Sequence, residues 1–243
     1  MENLTNKTIG QIVSEDYRTA SVFESNKIDF CCKGGRTLEE ACQKGRISIA
    51  PLIEELNKVM SQPISGRMRA TTWPVDLLAD YIEKKHHRYV TAKIPEITAY
   101  LDKICKVHGK NHPEYLEIRR LFIESGQELT LHMHKEEHIL FPFIRILAEA
   151  EIENRSEIDR PPFGTVANPI KMMMEEHNAE GDRFEEIVKL SNDYTPPADA
   201  CNTCKVTFSL LKEFETDLHQ HIHLENNILF PRAMELENKI YHA

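Results

Sequence analysis

From about residue 74 to Tyr241, apolar positions recur every three or four residues, the spacing of one face of an α-helix. Four long stretches carry this pattern, at about 74–108, 112–150, 166–192 and 199–239. Gly109, Asn111 and Pro113 break the first from the second, and the polar run Glu149–Arg160 with Pro161-Pro162 ends the second. Tyr194-Thr195-Pro196-Pro197 separates the third from the fourth. Four helices joined by short to medium connections predict an all-α, up-down-up-down bundle. Upstream, Thr8–Val13 and Ala20–Phe23 have helical apolar spacing, and Gly34-Gly35 marks a turn. Thr37-Leu38-Glu39-Glu40 has the form of a capping box. Ser48 stands where it would cap a helix with Pro51 in its first turn. The predicted divisions are a small helical domain at 1–62, a linker at 63–73 and the bundle at 74–243.

One segment of this pattern occurs twice. His132-Met-His-Lys-Glu136-Glu-His-Ile-Leu-Phe-Pro142 is answered by His221-Ile-His-Leu-Glu225-Asn-Asn-Ile-Leu-Phe-Pro231, at an offset of 89 (221 − 132). A His and a Glu four residues apart share one face of a helix. At 100° per residue, Leu129, His132, Glu136 and Ile139 form one stripe, and Leu218, His221, Glu225 and Ile228 form its counterpart. Glu128 and Asp217, each four residues before the histidine, fall on the same faces and are expected to orient the ligands from a second shell. His134, His138, His219 and His223 point elsewhere and read as surface residues.

The first and third helices must then complete the site. On the third, His177 lies among Ile170, Met173, Met174, Phe184 and Val188. A lone histidine on an apolar face is usually a satisfied core residue, but the duplication supplies a mate about 90 positions earlier, at His87. The spacings agree, since 132 − 87 = 45 and 221 − 177 = 44. Periodicity alone favours His86, which shares a stripe with Ile82, Val90, Ile97 and Ile104, whereas the repeat register favours His87. His87 is taken, with His86 open. Were these six residues incidental, two carboxylates would be buried without compensation at several kcal/mol per charge. A pair of metal ions bridged by Glu136 and Glu225 and capped by histidines removes that cost. Mixed nitrogen and oxygen ligation with open positions suits iron better than a closed zinc site.

Composition narrows the setting. A formal net charge of −9 argues against a nucleic-acid or anionic-membrane binder. No apolar run approaches the roughly 20 residues needed to span a bilayer, and the polar N-terminus lacks a signal-peptide core, so the cytoplasm is expected. Six cysteines in such a chain read as thiols rather than a disulfide framework. Cys31 and Cys32 read either as two small hydrophobes near a turn or as exposed thiols whose pKa is lowered by Lys33 and Arg36. Cys201-x-x-Cys204 is a lone CxxC that reads as helix-start packing, and Cys42 and Cys105 read as core.

The twin H-x-x-x-E segments, together with Asp29-Phe-Cys-Cys-Lys-Gly-Gly-Arg-Thr-Leu-Glu-Glu-Ala41, resemble the RIC family of iron–sulfur cluster repair di-iron proteins over nearly the whole chain. That resemblance implies a hemerythrin-like bundle behind a small Cys-Cys domain. It implies a carboxylate-bridged centre of two non-haem irons, oxo- or hydroxo-bridged, on His87, His132, Glu136, His177, His221 and Glu225. It further implies a cytoplasmic homodimer that serves damaged or apo iron–sulfur proteins as an iron donor after nitric oxide or oxidant stress, with Cys31 and Cys32 as transfer thiols. Nucleic acid and membrane are not expected partners. An oxygen carrier of the hemerythrin type would want a fifth histidine on the metal face, and none is evident. An oxidoreductase acting on nitric oxide, nitrite or oxygen is the alternative; ferritin-like oxidases, however, carry E-x-x-H pairs rather than H-x-x-x-E. The departure from the family pattern is the long 150–165 connection.

Overall fold

The computed structural model describes residues 4–62, 70–156 and 158–241. Eight helices account for nearly all of the regular structure in those residues, with one isolated bridge, Thr8–Thr37. Most of the expected linker, 63–69, lies outside the described residues; Ala70–Thr72 is a 3₁₀ turn. Two compact units divide the chain, one of residues 79–146 and 160–221, the other of residues 1–78, 147–159 and 222–243.

The first of these units holds most of the four long helices. Helix α5 begins as Val75–Tyr81, passes a π-turn at Ile82–His87 and continues as Arg88–His108. Helix α6 runs Glu114–Lys135, passes a π-turn at Glu136–Leu140 and ends as Phe141–Ile152. Helix α7 is an uninterrupted α-helix, Ala167–Leu190. Helix α8 runs Asn202–Leu224, passes a π-turn at Glu225–Leu229 and ends as Phe230–Tyr241. The predicted stripes form the core: Val90, Ile97, Leu101 and Ile104 meet Ile118, Phe122 and Leu129, with Met173, Phe184, Ile187, Leu211 and Phe214 behind them, all buried. Phe214 ties α8 to its neighbours, edge-on to Phe122 at 5.2 Å and stacked on Phe184 at 5.8 Å. The fold is thus an all-α four-helix bundle behind a small helical N-terminal domain, as the periodicity predicts.

The other unit gathers four short helices, α1 (Ile9–Glu15), α2 (Ala20–Ser25), α3 (Leu38–Gly45) and α4 (Ile49–Met60), with the end of α8. Ile9, Ile12, Phe23, Phe30, Leu38 and Leu56 are its buried apolar centre. The Thr37 capping box forms, with Glu40 N donating to Thr37 Oγ1 at 3.2 Å and Thr37 N to Glu40 Oε2 at 2.8 Å. Thr8 and Gln11 make a second box at the start of α1. Ser48 occupies the cap position of α4, but its side chain makes no capping bond there.

Candidate metal centre

Four histidines and a glutamate of the bundle converge. His132 stands in the last turn of the α segment of α6, and Glu136, one turn on, opens the π-turn. Glu136 Oε2 lies 3.3 Å from His132 Nε2 and 3.4 Å from His87 Nε2. His177 Nε2 approaches His132 Nε2 at 2.9 Å, and His221 Nε2 approaches His87 Nε2 at 3.2 Å. The donor atoms of His87, Glu136 and His221 lie within 4.8 Å of one another, as do those of His132, Glu136 and His177. All five side chains are at most 3 % exposed. His87 and His132 reach Glu136 from α5 and α6, and His177 and His221 reach those imidazoles from α7 and α8.

The other ring nitrogens show why the imidazoles point inward. His87 Nδ1 donates to Glu137 Oε1 at 2.8 Å, and His132 Nδ1 donates to Glu176 Oε2 at 2.8 Å. Each bond holds the proton on Nδ1 and turns the Nε2 lone pair towards Glu136, the arrangement by which carboxylates tune metal-binding histidines. Glu176 is lowered to about 2 by the hydrogen bond from His132 and by Lys135, against its partial burial. Buried nitrogen and carboxylate donors converging at these distances fit one or more divalent cations.

These orienting carboxylates are Glu137 and Glu176, not the expected Glu128 and Asp217. Glu128 is exposed, and Asp217 accepts from His86 Nδ1 at 3.0 Å. The helical wheel placed both on the ligand face but could not say which helix each would meet. The true pair sits beside predicted ligands in sequence, Glu137 after Glu136 and Glu176 before His177, and faces a neighbouring helix. His86 and His87 are both buried, and the π-turn at Ile82–His87 accounts for the conflict between periodicity and repeat. Its extra residue per turn upsets the 100° wheel, so His87 reaches Glu136 while His86 pairs with Asp217.

Ile139 falls out of its predicted stripe, at 48 % exposure, whereas its counterpart Ile228 is buried, and Met174 on α7 is 38 % exposed. His134 and His138 are exposed and His219 half-buried. His223 is not a surface residue: it is 1 % exposed, packed against Tyr17 and Phe30 with ring centroids 5.8 Å away in each case. Burial lowers its pKa to about 3, so it is neutral at physiological pH.

Glu225 follows His221 by four residues on the same helix, is fully buried and opens the second π-turn. Its neighbours Asn226 and Asn227 donate to the Cys31 and Phe30 carbonyls, each at 3.2 Å. They hold the loop that carries the cysteine pair. Cys31 there is not an exposed, acidified thiol. It is 3 % exposed, and its pKa is raised well above the ordinary thiol range by Cys32, by burial and by Asp29. Asp29 Oδ1 accepts from the backbone N–H of Cys31 and Cys32 at 3.1 and 2.9 Å, and Lys33 Nζ lies 4.0 Å from Asp29 Oδ2. The lysine thus faces a carboxylate, which offsets its effect on the thiols. Cys32 is the more accessible of the two. Cys42 is buried; Cys105 is half-buried, its Sγ 3.1 Å from the Tyr115 carbonyl.

Comparison with known proteins places this geometry. Residues 5–60 match the ScdA_N model, a domain of unknown function (DUF542), and residues 78–233 match the hemerythrin HHE cation binding domain. The chain is 32% identical over 235 residues to the iron-sulfur cluster repair protein YtfE of Yersinia pestis (strain Pestoides F), covering 96% of this chain and 98% of that protein. The YtfE of Yersinia pseudotuberculosis serotype IB (strain PB1/+) matches with the same identity and coverage. No helix among the described residues is long and apolar enough to cross a membrane. With a buried histidine–carboxylate cluster inside the HHE region and a Cys-Cys domain before it, the chain belongs to the hemerythrin-like family of iron–sulfur cluster repair proteins.

Proposed function

We propose that the chain restores damaged iron–sulfur clusters by donating iron from a di-iron centre on His87, His132, Glu136, His177, His221 and Glu225. The observation that carries this reading is the inward set of Nε2 lone pairs around Glu136, two of which, on His87 and His132, are oriented from behind by a carboxylate. Iron suits that donor set because imidazole and carboxylate together bind it without the thiolates that favour zinc. When bound, it supplies the ions to be delivered. Glu225, four residues from His221 on one helix, is the second carboxylate of the set and, with Glu136, the bridge. Asp217 acts behind His86 rather than behind a ligand.

Residues 1–62 form the Cys-Cys domain, 63–73 a linker and 74–243 the iron-holding bundle. Cys32, the more accessible thiol, meets the recipient first and Cys31 backs it. The recipients are apo or damaged iron–sulfur proteins, after nitric oxide or oxidant stress, and the protein works in the cytoplasm as a homodimer. The acidic charge and the likeness to the repair proteins support these assignments. The deciding experiment loads the full-length chain with labelled iron and incubates it with an apo iron–sulfur protein, with and without nitric oxide. Label should appear in a rebuilt cluster. No transfer under any condition would overturn donation and favour an oxidoreductase acting on nitric oxide, nitrite or oxygen.

A further inference from the structure

A second set of donors sits where α5 ends and α8 begins. His108 is the last residue of Arg88–His108, and Cys201 immediately precedes Asn202. His108 Nε2 lies 3.3 Å from Cys201 Sγ, and Cys201 Sγ lies 3.4 Å from Cys204 Sγ. All three donor atoms lie within 4.8 Å of one another. His108 and Cys201 are half-buried and Cys204 is buried, so the set opens to solvent on one side. With metal–sulfur bonds of about 2.3 Å and metal–nitrogen bonds of about 2.0–2.1 Å, a tetrahedral ion separates two sulfurs by roughly 3.8 Å and sulfur from nitrogen by roughly 3.6 Å. The three atoms therefore stand close to one face of such a tetrahedron, and the two sulfurs remain well outside the bonding distance of a disulfide. The C-x-x-C spacing with a further ligand from elsewhere in the chain is a zinc-type arrangement. His108 lies 21 positions beyond His87 (108 − 87) along the helix, about 30 Å at 1.5 Å per residue, so this set is distinct from the histidine–glutamate centre.

We propose that His108, Cys201 and Cys204 form a separate binding site for a thiophilic divalent cation of the zinc class. Two thiolates and one imidazole hold the ion, and a water or an incoming ligand takes the fourth position. Both sulfurs bind the ion as thiolates. Asp199 is engaged elsewhere, its Oδ2 3.2 Å from His112 Nε2, and is not one of the ligands. Thiolate donors separate this site chemically from the nitrogen–oxygen centre, which favours a different class of ion.

The test strips the reduced full-length chain of metal and titrates it with cobalt(II) alone. A thiolate-to-cobalt charge-transfer band should appear in the near ultraviolet. It should be lost in Cys201→Ser/Cys204→Ser and kept in Cys31→Ser/Cys32→Ser, and His108→Ala should weaken cobalt binding about tenfold or more. Absence of the band, its survival in Cys201→Ser/Cys204→Ser, or its loss with Cys31 and Cys32 overturns the proposal. Circular dichroism checks that the variants fold. If the double variant does not, zinc protection of wild-type Cys201 and Cys204 against alkylation, mapped by peptide mass spectrometry, decides. Protection supports the site; equal labelling with and without zinc, or a Cys201–Cys204 disulfide that zinc does not block, overturns it.

Discussion

The two copies of H-x-H-x-E-x-x-I-L-F-P share their glutamate, their π-turn and their buried Leu and Phe, and differ in the two residues after the glutamate. In the first copy these are Glu137 and His138; Glu137 holds the Nδ1 proton of His87, and His138 is exposed. In the second they are Asn226 and Asn227, whose amides grip the carbonyls of Phe30 and Cys31. His223 shows the same divergence. Its counterpart His134 is solvent-exposed, whereas His223 is buried against Tyr17 and Phe30 and bonds Asn227 through Nδ1 at 3.1 Å. The repeated segment thus carries the same His–Glu pair in both copies, while its flanking positions serve different ends, in one copy the histidine–glutamate cluster and in the other the cysteine loop. The chemistry follows the contact: a carboxylate where an imidazole proton must be held, a neutral amide donor where backbone carbonyls need partners.

Six substitutions sharpen that contrast. The largest effect belongs to the shared glutamates. Glu136→Ala or Glu225→Ala should take bound iron from about two ions per chain towards none, as expected when a two-metal site loses a bridge. Far-ultraviolet circular dichroism should barely change, because the apolar stripes do not depend on the metal; unchanged iron content would refute the bridging role. Next come the orienting carboxylates. Glu137→Gln and Glu176→Gln should each weaken iron binding about 10–100-fold, read by chelator competition, with the reactivity of Cys32 unchanged. Asn226→Ala should show the opposite pattern, normal iron affinity and faster alkylation of Cys32; a loss of iron as large as that of Glu137→Gln would end the division of labour. The smallest effect is on stability. Asn227→Ala leaves the Phe30 carbonyl without its amide donor and should cost about 1–3 kcal/mol, measured by denaturant unfolding of the metal-free chain.

The long helices were legible because their apolar spacing is regular and Gly, Pro and polar breaks punctuate it. The histidines and the glutamate that converge in the bundle were legible because the repeat singles them out. What stayed hidden depends on departures from the regular helix or on contacts far apart in sequence. A wheel of 100° per residue cannot anticipate a π-turn, so it favours His86 over His87. It also could not show which helix Glu128 would meet, and the carboxylate stands in solvent. Cys31 was misjudged because nearby Lys33 and Arg36 were visible in the sequence, while the burial and the Asp29 carboxylate that outweigh them arise only on folding. His108 lies 93 positions from Cys201, so the CxxC looked solitary until the helix ends met.

The π-turns also constrain how the chain can vary. Each winds one extra residue into its turn, so the faces before and after it stay aligned only while that residue is kept. Glu136–Leu140 and Glu225–Leu229 stand at matching positions of the two copies, 89 apart (225 − 136). The turn at Ile82–His87 has no counterpart on α7, which runs through His177 as unbroken α-helix. Deleting one residue from Glu136–Leu140 would turn Phe141–Ile152 by about 100° against Glu114–Lys135. A single-residue deletion there is therefore a change of face for a whole helix segment, whereas the same deletion in a connection is absorbed locally.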